Sequence, residues 1–183
     1  DEIAPDSIDL VGLEHFPQVI DVEETGQTFE ENSLQKARAL CSQTGLPAIA
    51  DDSGLCIDAL NGAPGILSAR WSGIHGNDQA NIEKVLSELH DLPRSARGAH
   101  FTCVTAFVML DGSEVTQEGI LRGSILSEPI GNHGFGYDPI FLPNGSEFSL
   151  AQLDAGAKDA ISHRGQSIRA IAPRVASMLG ALG

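Results

Sequence analysis

The most regular alternation of apolar and polar positions begins at Thr28. Phe29, Ser33, Ala37, Leu40 and Cys41 recur at helical spacing. Thr28 and Glu31 stand at the N-cap and N3 positions of a capping box, and Gly45 is placed to stop the helix. The pattern predicts a helix from Phe29 to about Gln43. Lys36 falls two turns beyond Phe29 on nearly the same stripe, so its ammonium either snorkels to solvent or points into a cleft. Glu31 has two uses that exclude each other: it closes the cap, or it turns outward to bind a metal.

A different rhythm follows. Ala48-Ile49-Ala50, entered after Gly45-Leu46-Pro47, reads as a buried strand. It runs directly into Asp51-Asp52-Ser53-Gly54. Side chains alternate along a strand, so the two carboxylates point to opposite faces. One is then free to face a cleft while the other is hydrogen-bonded into the scaffold; turn chemistry alone is the competing explanation. Leu55–Leu60 predicts a second strand, closed by the turn Asn61-Gly62.

Further along, Asn77 or Asp78 caps a helix whose Ile82, Val85, Leu86 and Leu89 share a face. Gly98–Leu110 alternates poorly but is rich in β-formers. It predicts a long strand, turned back by Asp111-Gly112 into a partner over Ser113–Arg122. Ile168, Ile171, Ala172, Val175 and Leu179 form the apolar face of a last helix. Ser162 is its candidate cap, and Pro173 should kink or shorten it. Ile8–Leu13 is a candidate first strand. Helices interspersed with strands and a long hairpin give an α/β class with a mixed sheet.

Two segments carry chemistry beyond these elements. Gly131-Asn132-His133-Gly134-Phe135-Gly136-Tyr137-Asp138-Pro139 places an aromatic between glycines that let backbone approach a ligand. Phe135 is thereby suited to stacking on a planar ring, and Asp138 is a hydrogen-bond acceptor entering the next strand. A glycine-rich turn before a strand is the plainer alternative. In Ser162-His163-Arg164-Gly165, two basic side chains occupy a helix start, where the macrodipole disfavours them. Local violations of this kind mark sites.

Composition narrows the class. A chain of 183 residues, 42% apolar and 20% charged, is one soluble globular domain or one domain with two lobes. No apolar run approaches the roughly 20 residues of a membrane span. The net charge of −14 argues against a nucleic-acid partner but not against a nucleotide. Cys41, Cys56 and Cys103 are isolated and odd in number, as in a reducing cytoplasmic setting. Lys36, Lys84 and Lys158 are the only lysines, so their placement is informative.

Five segments in order resemble the inosine triphosphate pyrophosphatase (Ham1-like) family of noncanonical purine nucleoside triphosphate pyrophosphatases. They are Thr25-Gly26-Gln27-Thr28-Phe29-Glu30-Glu31-Asn32, Asp51-Asp52-Ser53-Gly54-Leu55, Pro64-Gly65 with Ser68-Ala69-Arg70, Gly134-Phe135-Gly136-Tyr137-Asp138-Pro139 and Ser162-His163-Arg164-Gly165. The match runs from Glu24 to about Gly180.

The resemblance implies an elongated mixed β-sheet with helical lobes flanking a central cleft, in a single two-lobed domain over 1–183 that forms a homodimer. It implies Mg²⁺-dependent hydrolysis of ITP, dITP and XTP to the monophosphate and pyrophosphate. Glu31 and Asp52 would hold the metal, with Asp52 the base for the attacking water. Lys36 and Ser53 would contact phosphate. Phe135 would stack on the base in the Gly136-Tyr137 loop, and Asp138, Lys158, His163 and Arg164 would surround its polar edge. Family members open on a strand and a Thr/Ser-x-Asn-x-x-Lys phosphate loop, and the sequence begins beyond that element. If nothing precedes Asp1, the sheet should carry a gap, an edge covered by a partner chain, or a repositioned Ile8–Leu13 strand. A nucleotide-binding module without turnover and a structural dimer partner are the alternative functions.

Overall fold

A computed structural model describes residues 8–180. In chain order the regular elements are α1 (Phe29–Thr44), β1 (Ala48–Ile57), α2 (Asp78–Glu88), β2 (Gly98–Val108), β3 (Glu114–Ile125), β4 (Phe141–Pro143), α3 (Ala155–Ile161) and α4 (His163–Gly180). The sheet order is β1-β2-β3-β4, and β3 and β4 pair antiparallel with Ser124 opposite Leu142. The structure is of the α/β class. The chain divides into two compact units, and the divisions fall within β1, β2 and β3 and between His163 and Arg164.

The first unit holds the chain up to Asp52, Cys103–Gly119 and the chain from Arg164. Its packing follows from strand alternation in β2. Ala106 and Val108 pack with Ala37 and Cys41 of α1 and with Ala48 and Ala50 of β1. Phe107 and Met109, one residue out of step, pack with Ile171, Val175 and Leu179 of α4. Helices therefore cover both faces of this half of β2, which is why its sequence lacks clean alternation. Ala37 and Ile171 are fully buried. Ala37→Leu would overpack the first cluster at a cost of about 1–3 kcal/mol.

The termini of α1 follow the predicted chemistry. Thr28 Oγ1 accepts from Glu31 N at 3.1 Å, and Gly45 closes the helix in the left-handed region at φ 68°. The helix α4 continues through Pro173 to Gly180 instead of ending early. The expected strand at Ile8–Leu13 is not formed. Its neighbourhood bonds locally, with His15 N donating to Gly12 O and Phe16 N to Leu13 O around a 3₁₀ turn at Leu13–His15. Beside the edge strand β1 this segment lines a cavity of about 920 Å³, together with Ala39, Ile49, Phe107 and Val175.

The second unit holds Ser53–Thr102 and Ile120–His163. Leu55 and Ile57 of β1, Phe101 of β2, Ile125 of β3 and Phe141 of β4 pack against Ile82, Val85 and Leu89. Burying each such side chain contributes roughly 1.5–3 kcal/mol. Asn77 caps α2, its Oδ1 accepting from Ala80 N at 3.1 Å. At the other end the buried Arg97 donates to the carbonyls of Leu89, Leu92 and Leu126 at 2.9, 3.1 and 3.2 Å, tying the helix C-cap and the turn after it to the residue that follows β3. A separate strand over Leu55–Leu60 is not observed. β1 runs unbroken through the acidic pair to Ile57, and Asp58–Leu60 is a 3₁₀ turn. Asp138 likewise opens a 3₁₀ turn before β4 instead of entering a strand. Asp154 caps α3, which no apolar periodicity announced, by accepting from Ala157 N at 2.8 Å.

Candidate functional site

In the first unit the loop before α1 is fastened to the helix by side chains spaced along it. Asn32 Oδ1 accepts from Gly26 N at 2.8 Å, Glu31 Oε2 accepts from Gln27 N at 2.6 Å, and Gln35 Nε2 donates to Glu23 O at 2.8 Å. Gly26 is required by this closeness: a Cβ there would stand 2.6 Å from Asn32 Oδ1. Glu31 is thus in its capping role, bonded to the residue before the N-cap.

The loop delivers Glu24 to Lys36. Lys36 Nζ lies 2.7 Å from Glu24 Oε1 and 3.2 Å from Asp52 Oδ1. Asp52 Oδ2 accepts from the buried Asn32 Nδ2 at 3.1 Å. Lys36 therefore turns inward to two carboxylates and does not snorkel. Burial raises the Asp52 carboxyl above the ordinary aspartate value; Asn32 and Lys36 pull it down, and the nearby Glu24 charge raises it further. For Lys36 burial is the largest influence and lowers the pKa, but Glu24 and Asp52 together outweigh it, so the net shift is upward. A carboxylate with raised proton affinity beside a fixed ammonium has the properties of a general base next to an anion-binding group.

Asp51 turns the other way. Its Oδ2 accepts from Arg164 Nε at 3.1 Å and Nη2 at 3.0 Å. The opposite facing expected of the pair is observed, but both carboxylates are bonded to a helix, Asp52 to α1 and Asp51 to α4. Ser53 continues β1, half-buried, on the Asp51 side of the alternation.

The second unit gathers Phe135, Asp138 and Lys158. Phe135 is 66% exposed, and Lys158 Nζ sits 4.4 Å from its ring centroid. Asp138 Oδ2 accepts from Phe135 N at 2.9 Å and pairs with Lys158 Nζ. Gly134, at φ 77°, leaves room for that carboxylate, which a Cβ would strike. Asp78 Oδ2 accepts from Gly136 N at 2.6 Å, so two carboxylates brace the loop from below. Tyr137 is buried, and its hydroxyl donates to Ser68 O at 2.9 Å. Burial, with Asp78 and Glu88, pushes its phenol pKa up. Its side chain belongs to the core, and only its main chain is available to a ligand. His163 stacks on Phe101 at 4.8 Å, 9° from parallel.

Glu24 and Asp78 are not legible as site residues in the sequence: Glu24 stands at the edge of the matched segment, and Asp78 reads only as a cap. For a divalent cation, Asp52 and Glu24 offer hard oxygen donors in one place, while Glu31 is committed to Gln27 N. Among the described residues no group of three or more His, Cys, Asp or Glu side chains is placed to hold a metal. Two carboxylates suffice for Mg²⁺, which takes its remaining ligands from water and substrate phosphates.

A profile of the Ham1 family matches residues 1–174. The chain belongs to the Ham1 family. It is 54% identical over 172 residues to a dITP/XTP pyrophosphatase of Streptomyces coelicolor, covering 94% of this chain and 86% of that protein. It is 49% identical to one of Corynebacterium efficiens, covering 98% and 90%. Among solved structures, a HAM1 protein from Coxiella burnetii superposes with a TM-score of 0.88 at 44% identity, covering 96% of this chain and 90% of that one. A nucleoside-triphosphatase, dITP/XTP pyrophosphatase, from Mycobacterium abscessus gives 0.78 at 49%, covering 93% and 87%. Among the described residues no helix is long and apolar enough to cross a membrane.

Proposed function

We infer that this Ham1-family chain is a hydrolase that cleaves noncanonical purine nucleoside triphosphates, dITP, XTP and ITP, to the monophosphate and pyrophosphate. The observation that carries this is the 54% identity, across 94% of the chain, to a dITP/XTP pyrophosphatase. The chemistry of both residue clusters supports it.

Asp52 takes the proton of the attacking water as the bond between the α and β phosphates breaks and pyrophosphate leaves. Its burial supplies the proton affinity this role needs. Lys36 offers positive charge to the polyphosphate; the Ser53 side chain, on the other face of β1, is not directed to the Lys36 side. A bound Mg²⁺ supplies charge neutralisation on the phosphates. Asp52 and Glu24 are the carboxylates already together to hold it; Glu31 joins only by releasing Gln27 N.

Phe135, exposed on its loop, stacks on the purine. Lys158 is held against its ring, and Asp138 holds both that lysine and the Phe135 amide. Gly136 and Tyr137 contribute main chain. His163 and Arg164 donate to the base-edge carbonyl that hypoxanthine and xanthine carry where adenine carries an amino group. A site built on that hydrogen bond rejects the mismatched base by roughly 10⁴-fold. The working form is a homodimer, and a cytoplasmic setting is in keeping with three cysteines that form no disulfide.

Pyrophosphate release from dITP, XTP and dATP with Mg²⁺, alongside light scattering for the oligomer, tests this. Rapid release from dITP and XTP but not dATP is expected. Thermal stabilisation by dITP without release would make the chain a binding module, and neither effect would leave a structural subunit.

A further inference from the structure

The two acidic residues of β1 are adjacent in sequence but have separate surroundings. The surroundings of Asp51 go beyond a surface ion pair. Both Arg164 donors, Nε and Nη2, converge on the single oxygen Oδ2. The Cys103 thiol donates to the same oxygen at 3.5 Å. Beneath it, Ser167 Oγ lies 3.2 Å from Cys103 Sγ and 2.7 Å from Thr105 Oγ1, and 3.0 Å from the Arg164 carbonyl. Cys103, Ser167 and Thr105 are all but completely buried. A chain of polar groups inside the unit thus fixes the carboxylate, and the carboxylate fixes a guanidinium whose side chain is 48% exposed.

Exposed ion pairs contribute little because two long side chains must be held in one geometry. Here one partner is short, set on a strand and supported from inside. The rotamer freedom removed is almost entirely that of Arg164. Engaging the Nε–Nη2 edge keeps Nη1 outside the ion pair and sets the plane of the fork.

We propose that Asp51 is the positioning residue that aims Arg164, and that it thereby sets the selectivity of the enzyme for a purine with a base-edge carbonyl. This rests on Arg164 being the base-edge donor. Asp51 touches neither substrate nor metal in this role. The division of labour within Asp51-Asp52 is then chemical turnover at Asp52 and base selection, through Arg164, at Asp51. Asp51→Asn keeps the shape and removes the charge that holds the fork.

Two measurements on the Mg²⁺-loaded full chain test the proposal. The first is kcat and KM for dITP and dATP in wild type, Asp51→Asn, Arg164→Ala and the double variant. Asp51→Asn is expected to raise the KM for dITP at least about tenfold with a smaller change in kcat. Its preference for dITP over dATP should fall to that of Arg164→Ala, and the double variant should be no worse than either. A fall in kcat with the preference intact, or effects that add in the double variant, overturns the proposal.

The second measurement is the NMR signal of the Arg164 Nε–H, expected to exchange slowly in wild type and to broaden in Asp51→Asn. A signal that stays protected overturns the clamp whatever the kinetics show. If Arg164→Ala keeps its selectivity, the base-edge reading fails and with it the selectivity role; the NMR signal still decides the clamp. Should Asp51→Asn not fold, Arg164→Lys replaces it: a lysine keeps the charge opposite Asp51 but not the fork. Unchanged selectivity in that variant overturns the proposal.

Discussion

Asp52 and Lys36 meet at 3.2 Å, a strand carboxylate against a helix ammonium. The pair arises because β1 sends its even-numbered residues toward α1, where Ala48 and Ala50 pack against Ala37 and Cys41. The apolar contacts set the register, and the polar pair follows from it two residues further along the strand. Asn32 and Glu24 then complete the surroundings, one from each side of the loop that the helix holds down. A buried carboxylate, a fixed cation and a second carboxylate suit the hydrolysis of a phosphoanhydride with a divalent cation.

Asp52→Asn is expected to lower kcat for dITP by about 10²-fold or more, since the variant cannot accept the water proton. In wild type, burial places the Asp52 carboxyl above the ordinary aspartate range. The acid limb of kcat/KM should therefore lie at higher pH than an ordinary aspartate would give. The same shift has a sign in stability: the contribution is present below the unfolded carboxyl value and lost as pH rises through the raised one. A pH–rate profile on dITP checks the limb, and near-normal activity in Asp52→Asn removes the assignment.

Glu24 and Glu31 separate by their metal dependence. Glu24→Gln should increase the Mg²⁺ concentration needed for half-maximal rate and move the acid limb downward, because the Glu24 charge is one of the causes raising Asp52. Glu31→Gln should leave the Mg²⁺ requirement nearly unchanged. The reverse order in a Mg²⁺ titration would return the metal to Glu31.

Asn32 is fully buried, with its carbonyl on Gly26 N and its amide on Asp52. Asn32→Leu leaves a half-buried backbone donor and a buried carboxylate oxygen each without this partner, at up to about 1–3 kcal/mol apiece. Urea unfolding should report a loss of at least about 2 kcal/mol. A loss below about 0.5 kcal/mol, the ordinary surface range, would mean solvent reaches the site.

Phe135→Ala should weaken binding of all purine nucleotides alike, by about 1–3 kcal/mol per stacked base. Inhibition by IMP, GMP and AMP measures this directly. A loss confined to one base would place Phe135 at the edge of the purine instead of on its face.

Elements with local causes were legible in the amino-acid sequence. The cap at Thr28, the stop at Gly45, the cap at Asn77 and the turn at Asn61-Gly62 each follow from side chains within a few residues. It also carried the family, because five ordered motifs are dense in residues chosen for chemistry. Tertiary packing decided what depends on partners distant along the chain. The strand predicted at Ile8–Leu13 did not form, and the backbone there bonds locally around the turn at Leu13–His15. β1 continued through two aspartates because α1 and α4 each supplied one of them with a cation. Glu24 acquired a role only when the loop folded back on Lys36, and Tyr137 gave its side chain to the core because Ser68 offered its carbonyl there. Strand periodicity told that Asp51 and Asp52 part company; only the helices packed on each face determined that one meets Lys36 and the other Arg164.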